Sequence, residues 1–205
     1  MAEQMCIEIP KDVENLRLPL PELLNFYKDA EDRIIWIEEI DDNLLDFMKL
    51  ILRWNKEDVG IAVENRKPIR IFIYSYGGEI DVCFSFIYLV KISKTPIHTI
   101  NIGVAASAGA LIFLSGHKRF AMNGSTILLH QGSGALNGTA GQIMDMSNAY
   151  GKILEKMKNY ILENTEISKN TYTRMKDKEW TITSDEFVKF GIADEILTDI
   201  EIILQ

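Results

Sequence analysis

Residues 98–110 read His98-Thr99-Ile100-Asn101-Ile102-Gly103-Val104-Ala105-Ala106-Ser107-Ala108-Gly109-Ala110. The first five residues, rich in isoleucine and threonine, predict a strand. The glycine, alanine and serine residues that follow have the small side chains that a sharp turn requires, and the apolar residues up to Leu114 predict a helix. The segment is therefore interpreted as a strand–turn–helix unit with Ser107 at the bend.

Other strands alternate with helices along the chain. The further predicted strands, rich in β-branched and apolar side chains, are residues 33–37, 69–74 and 126–129. Apolar residues at helical spacing predict three further helices. One begins at residue 44, and the other two cover residues 80–92 and 139–163. Short helices near residues 168 and 184 follow, the second with a capping box formed by Thr183 and Glu186. This alternation predicts an α/β fold with a largely parallel sheet.

The domain organisation is predicted to be simple. Residues 1–30 mix charges with three prolines and have no steady period, so we interpret them as an arm or tail with a short helix near residues 23–27. Residues 31–205 contain no internal repeat and no linker, and they are expected to form a single domain.

Composition excludes several classes of protein. The 205 residues are 47% apolar and 25% charged, which is ordinary for a globular chain. The chain has 22 basic and 30 acidic residues, which gives a net charge of −8. Nucleic acid and anionic membranes are therefore not expected as partners, because both would be repelled. Cys6 and Cys83 are too few for a disulfide framework and are wrongly spaced for zinc, so we expect no metal and a reducing cytoplasm.

Signals for export, membranes and nucleotides are not expected either. The first residues lack the basic-then-apolar order of a signal peptide, and the longest apolar run, 104–114, is too short to span a bilayer. The glycines of segment 132–138 have the wrong spacing for a phosphate-binding loop, and the segment lacks the Walker lysine. Any use of ATP is therefore assigned to a partner.

Ser107 is a candidate nucleophile. Ala105-x-Ser107-x-Gly109 differs by one residue from the Gly-x-Ser-x-Gly nucleophile elbow, in which a serine projects from a sharp strand-to-helix turn. The helix N-terminus after it favours negative charge on a reacting oxygen. The alternative is that the small residues only permit close helix packing and that Ser107 is an ordinary N-cap.

A serine hydroxyl needs a base, and the chain offers three histidines. His98 is predicted to begin a strand, and His117 to lie in a solvated polar turn. His130 ends an apolar strand at the same sheet edge as Ser107, so it is either a general base or a structural residue. The pair Gly77-Gly78 after another strand either lets a backbone N–H approach a ligand or forms a plain tight turn.

The acid that would orient His130 is not identified by spacing. Among 30 acidic residues, Asp177 and Glu179 lie in a predicted loop between helical segments, where most acids are merely solvated.

Four ordered motifs together resemble the Clp protease proteolytic subunit (ClpP) family over about residues 33–197. The motifs are Tyr74-Ser75-Tyr76-Gly77-Gly78, residues 103–110, Ile127-Leu128-Leu129-His130-Gln131 and Phe190-Gly191-Ile192-Ala193-Asp194. By this resemblance Ser107 matches the nucleophile and His130 the general base. Gly78 and Ala108 match the two oxyanion-hole positions.

The chain departs from the family pattern at three positions. Tyr76 and Gly132 stand where the family usually has proline. The third triad member of the family is an aspartate, whereas the matching position here is Glu179. The alternatives are Asp177, two residues earlier, or neither of these acids.

The resemblance implies a ClpP/crotonase-like fold, with repeated β-β-α units and a long handle helix that protrudes. It also implies a homo-oligomer of two stacked heptameric rings, a tetradecamer, that cleaves unfolded polypeptides delivered by an ATP-driven AAA+ unfoldase of the Clp type. The loop after His130 resembles the segment that pairs with extended substrate. No cofactor is implied for the chain itself, and the implied compartment is the cytoplasm.

Other functions remain open. The chain could be a non-catalytic or weakly active subunit of a mixed ring, or a ClpP-like capsid-maturation protease of a phage. A crotonase-like acyl-CoA enzyme is disfavoured because that class does not need Ser107 and His130 as a pair. A membrane-anchored signal-peptide peptidase is disfavoured by the histidine in place of a lysine base.

Overall fold

The computed structural model describes residues 21–132 and 135–203 of the chain. The α-helices are α1 (Pro21–Asp32), α2 (Leu44–Glu57), α3 (Ile80–Ile92), α4 (Ala108–Phe113), α5 (Ala140–Glu163), α6 (Lys169–Met175) and α7 (Ser184–Phe187). The strands are β1 (Ile34–Ile37), β2 (Ile69–Ser75), β3 (Ile97–Ala106), β4 (Lys118–Met122), β5 (Thr126–Leu129), β6 (Trp180–Thr183) and β7 (Glu195–Leu197). Short 3-10 helices cover Val63–Asn65 and Ile200–Ile203.

The seven described strands form one sheet in which β5–β6 is the antiparallel pair. The order β1-β2-β3-β4-β7 is parallel throughout. β3 is the longest strand, because its first half pairs with β4 and its last residues pair with β5. The carboxyl ends of β2, β3 and β5 therefore meet at one edge, where sites of parallel sheets form.

The main core lies between the sheet and helices α2, α3 and α4. Ile69, Ile71 and Ile73 of β2 are fully buried there, and α3 contributes Phe86 and Ile87. A smaller cluster on the opposite face consists of Phe72, Ile100, Phe120 and Ile203. Burial of such side chains stabilises the fold by about 1.5–3 kcal/mol each.

Helix α5 packs against the body of the protein from Tyr150 onward. Residues 140–149 are exposed, whereas Met157, Tyr160 and Ile161 are buried. A capping box of Thr139 and Gln142 begins the helix. The structure confirms the α/β class, the mostly parallel sheet and the protruding helix.

Several local predictions were wrong because charged residues obscured short strands. Lys118 and Arg119 lie in β4 and form ion pairs with Glu195 and Asp194 of the neighbouring chain segment. His117 is not merely solvated: its Nδ1 accepts a hydrogen bond from Ile97 N–H at 2.9 Å, and burial lowers its pKa.

The predicted arm and capping box also differ from the structure. The described part of the arm is helix α1, which is longer than predicted, and residues 1–20 lie outside the described chain. Thr183 precedes α7 but makes no capping bond to the described helix, because its hydroxyl bonds to the Asp185 carboxylate. The division into arm and domain stays a prediction.

A buried ion pair connects the end of α2 to the start of β1. The Arg33 guanidinium donates to both carboxylate oxygens of Asp58, at 2.7 and 2.8 Å, and Thr95 Oγ1 donates to the same carboxylate at 2.7 Å. The exposed fractions of the two charged side chains are 11% and 4%. The hydrogen bonds from Arg33 lower the pKa of Asp58.

We expect Asp58→Ala to lower the free energy of unfolding by about 3–5 kcal/mol, because Arg33 would be left buried without its partner. Urea unfolding at pH 7 measures this. Asp46→Ala is the matched control, since its ion pair with Lys49 is exposed and is worth at most about 1 kcal/mol. Equal losses in both variants would contradict the assignment.

The same pair predicts an acid-sensitive contribution to stability. Because the folded pKa of Asp58 lies below the unfolded value of about 3.9, its contribution is complete above about pH 5. The contribution disappears as the pH falls through the folded pKa. The free energy of unfolding of the natural chain should therefore decrease below about pH 5 by an amount that is absent in Asp58→Ala.

Candidate active site

Ser107 occupies a strained bend between β3 and α4. Its φ is 54° and its ψ is −122°, a conformation that residues other than glycine seldom adopt and that is concentrated at functional sites. Its backbone N–H donates to Leu128 O of β5 at 2.9 Å. The hydroxyl makes no capping bond to the described residues of α4, so the alternative of an ordinary N-cap is wrong.

Gly77 and Gly78 pack closely against their neighbours at the end of β2. A Cβ on Gly77 would lie 2.8 Å from Ser107 Cβ and 3.3 Å from Ala108 N. A Cβ on Gly78 would lie 2.1 Å from the Ile40 carbonyl oxygen. Both residues also have positive φ, 111° and 152°. The glycines therefore do more than form a tight turn: they let the loop approach the Ser107 bend.

Two backbone N–H groups near this bend lack backbone partners. The N–H of Gly78 makes no backbone hydrogen bond to any residue in the described ranges. Ala108 is the first residue of α4, where no acceptor exists within the helix. Unpaired N–H groups at such a position can stabilise a negative oxygen.

His130 and Glu179 meet across the antiparallel β5–β6 pair. The ladder ends with Leu129 opposite Trp180, and His130 and Glu179 are the residues directly beyond this last pair. Nδ1 of the imidazole lies 3.1 Å from Glu179 Oε1, and the two side chains are 22% and 69% exposed. Glu179 accepts a hydrogen bond only if Nδ1 carries the proton, which leaves the lone pair on Nε2.

Asp177 has a different partner. It lies in the turn before β6, where its exposed carboxylate is 3.4 Å from the Lys176 ammonium group. Within the described chain no hydrogen bond joins Asp177 to His130. Of the two acids considered from the sequence, Glu179 is therefore the one placed beside the imidazole.

His98 lies far from the Ser107 bend. It is the second residue of β3, about 26 Å from the strand's other end at a rise of roughly 3.3 Å per residue. Its ring packs against the edge of Phe120, and burial lowers its pKa. These contacts are structural.

Ser107 and His130 line the same open cavity, whose volume is about 310 Å³. Gly78 also contributes to its wall. The described residues provide no hydrogen bond between the Ser107 hydroxyl and the imidazole, and Nε2 of His130 is a buried atom without a partner among them. Such an unpaired buried nitrogen is rare and indicates a group that acts on something else. The arrangement can take a proton at Nε2.

Several residues that line the cavity were not identified as site residues from the sequence. They are Ile80 of α3 and Tyr150, Ile153 and Met157 of α5. The helical spacing of the three α5 residues indicates a common face, but spacing alone cannot say which surface that face covers. Their side chains make this wall of the cavity largely apolar.

The described residues were also considered for metals and membranes. They contain no group of three histidine, cysteine, aspartate or glutamate side chains placed to hold a metal ion. Among them, no helix combines the length and apolar character that crossing a bilayer requires.

Comparison with known proteins identifies the family. The family model described as Clp protease matches residues 29–199. The chain belongs to the Clp protease family. It is similar to the ATP-dependent Clp protease proteolytic subunit 2 of Borreliella burgdorferi, with 30% identity over 138 residues that cover 66% of this chain and 70% of the relative. The Clp protease match spans the Ser107 bend, His130 and Glu179, and it supports a proteolytic subunit.

Proposed function

We propose that this chain is a serine endopeptidase, the proteolytic subunit of an ATP-dependent Clp protease. The observation that carries the proposal is the Nδ1–Oε1 distance of 3.1 Å between His130 and Glu179, together with an unpaired Nε2 on a histidine that lines the same cavity as Ser107. A strained serine, an oriented imidazole and free amides are the parts that acyl transfer needs.

The reaction begins with proton transfer from the Ser107 hydroxyl to His130 Nε2, as Ser107 Oγ attacks the peptide carbonyl carbon. The imidazolium then gives that proton to the leaving amine, and the acyl group stays on Ser107. A water molecule, deprotonated by His130, attacks the ester and releases the acid and the free serine.

Backbone amides and an acid support these steps. The N–H groups of Gly78 and Ala108 donate to the oxygen that becomes negative in each tetrahedral intermediate, and each such donor is worth roughly 3 kcal/mol. Glu179 keeps the proton on Nδ1 and stabilises the imidazolium. Its exposure, 69%, weakens that stabilisation relative to a buried acid.

The substrate is an unfolded polypeptide bound in extended form. We define the recognition strip as the described residues 130–132 and 135–138, which follow β5 and make no backbone–backbone hydrogen bond to any other described residue. Open N–H and C=O groups of this kind can pair with an extended peptide. The apolar wall formed by Ile80, Ile153 and Met157 receives an apolar side chain of the peptide.

The active form is a homo-oligomer in the cytoplasm, two stacked heptameric rings that enclose the sites and receive substrate from an AAA+ unfoldase. Support comes from the family and from the exposed apolar side chains of Ile143, Met144 and Met146 on the protruding half of α5. ATP is used by the unfoldase, and this chain needs no cofactor.

A fluorophosphonate reagent tests the proposal directly, because it bonds to activated serines. We expect one adduct per chain, located on Ser107 by mass spectrometry of the digested protein, and hydrolysis of an unfolded protein by the natural chain. Native mass spectrometry of the same sample measures the ring size.

A non-catalytic subunit of a mixed ring is the second candidate. One observation favours it: no hydrogen bond joins Ser107 to His130 in the described chain. Rings that form normally but carry no adduct at Ser107 would support this candidate and overturn the first.

A further inference from the structure

Tyr150 contacts the recognition strip at the place where α5 reaches the body of the protein. Its hydroxyl donates to the Gln131 carbonyl oxygen at 2.6 Å. Residues 140–149 before it are exposed, and Tyr150 is the first residue of α5 that is partly buried. Tyr150 also lines the cavity, together with Ser107 and His130.

The residues of the recognition strip that follow His130 have little else to hold their backbone in place. Gln131 and Gly132 make no backbone–backbone hydrogen bond to another described residue. Gly132 has φ of 79°, and a Cβ there would lie 3.3 Å from the Tyr150 hydroxyl oxygen. The Gly132 backbone therefore lies close to the Tyr150 hydroxyl, in a conformation that glycine adopts easily.

A single hydrogen bond is important for such a segment. An extended peptide that pairs with the strip must order it first, and ordering each backbone residue costs conformational entropy. A strip already held in one conformation avoids that cost on binding. The Gln131 carbonyl has a second lone pair, so the bond from Tyr150 leaves it able to accept from a peptide.

We propose that Tyr150 is a positioning residue that holds the recognition strip, through the Gln131 carbonyl, in the conformation that binds extended peptide. This inference rests on the proposed peptidase function, which makes an extended peptide the ligand of the strip. The quantity that it predicts is the affinity for that peptide. Tyr150 touches neither the proton transferred by His130 nor the oxyanion.

The test compares peptide binding with and without the hydroxyl, in chains that cannot cleave. In the Ser107→Ala background, Tyr150→Phe should raise the Kd of a fluorescein-labelled, ten-residue apolar peptide by about 3- to 10-fold, as expected for one hydrogen bond. Fluorescence anisotropy measures the Kd. Amide hydrogen exchange in the buried second half of α5 should stay unchanged, which would exclude unfolding of the helix as the cause.

Tyr88→Phe is the matched control. Tyr88 is exposed on α3, and its ring contacts with Phe84 and Lys156 survive the loss of the hydroxyl. We expect its Kd to change by less than about twofold. An unchanged Kd for Tyr150→Phe, a loss equal to that of Tyr88→Phe, or a Ser107→Ala parent that binds no peptide would overturn the inference.

A separate measurement distinguishes this inference from the proposed function. The reaction of the natural chain with the fluorophosphonate tests the peptidase proposal by itself, because this small reagent does not pair with the strip. If the natural chain itself does not react, the peptidase proposal fails, and the binding comparison still decides the role of Tyr150.

Discussion

The Ser107→Ala variant is expected to cleave a short fluorogenic peptide on the order of 10⁶ times more slowly than the natural chain. The reason is chemical: the variant has no oxygen at position 107 to form the acyl intermediate, while the amides of Gly78 and Ala108 stay in place. Residual hydrolysis then comes from binding and from the oxyanion donors alone. Initial rates at saturating peptide measure the effect on kcat.

The control for this variant is Ser85→Ala. Ser85 is exposed on α3 and donates only to the Asp81 carbonyl within its own helix, at 2.9 Å. We expect its rate to equal that of the natural chain, and both variants to form the same oligomer. Equal rates for Ser107→Ala and the natural chain would refute the assignment of Ser107 as the nucleophile, whatever the oligomeric state of the two proteins.

The Glu179→Gln variant is expected to lower kcat/KM by roughly 10²- to 10⁴-fold. Glutamine keeps the size of the side chain but removes the charge that stabilises the imidazolium, and its amide no longer enforces the Nδ1–H tautomer. The lower half of that range is expected because the carboxylate is exposed and is therefore screened by water.

Asp177→Asn is the matched control, since it removes one acidic charge two residues away. Its ion pair with Lys176 is on the surface, so we expect a change of less than about twofold in kcat/KM. A larger loss in Asp177→Asn than in Glu179→Gln would move the orienting role to Asp177. Similar small losses in both would indicate that His130 works without a carboxylate.

Elements with strong patterns could be predicted from the sequence. The apolar helix α3 has the predicted bounds, 80–92, because most of its side chains pack into the core. Strand β3 was predicted to end four residues too early, because Gly103, Val104, Ala105 and Ala106 resemble a turn locally. Pairing with β5 extends the strand through these residues.

Short strands with charged residues could not be predicted. β4 begins with Lys118 and Arg119, and β7 begins with Glu195, so neither has the alternation of a half-buried strand. Both are strands because ion pairs and backbone bonds to neighbouring strands satisfy these residues. Such partners are distant in sequence and are known only once the sheet has formed.

Local chemistry in the chain made Ser107 and His130 candidates, and the resemblance to the Clp protease family matched them to the nucleophile and the base. Small residues around a serine permit a strained bend, and a histidine after an apolar strand comes to lie at the carboxyl edge of the sheet; both depend on neighbours in sequence. The resemblance also favoured Glu179 over Asp177, but the contact itself depends on the register of β5 against β6, which brings residue 179 beside residue 130. Register results from packing between distant segments. For that reason only the tertiary structure brings Glu179 beside the imidazole of His130 and Tyr150 beside the carbonyl of Gln131.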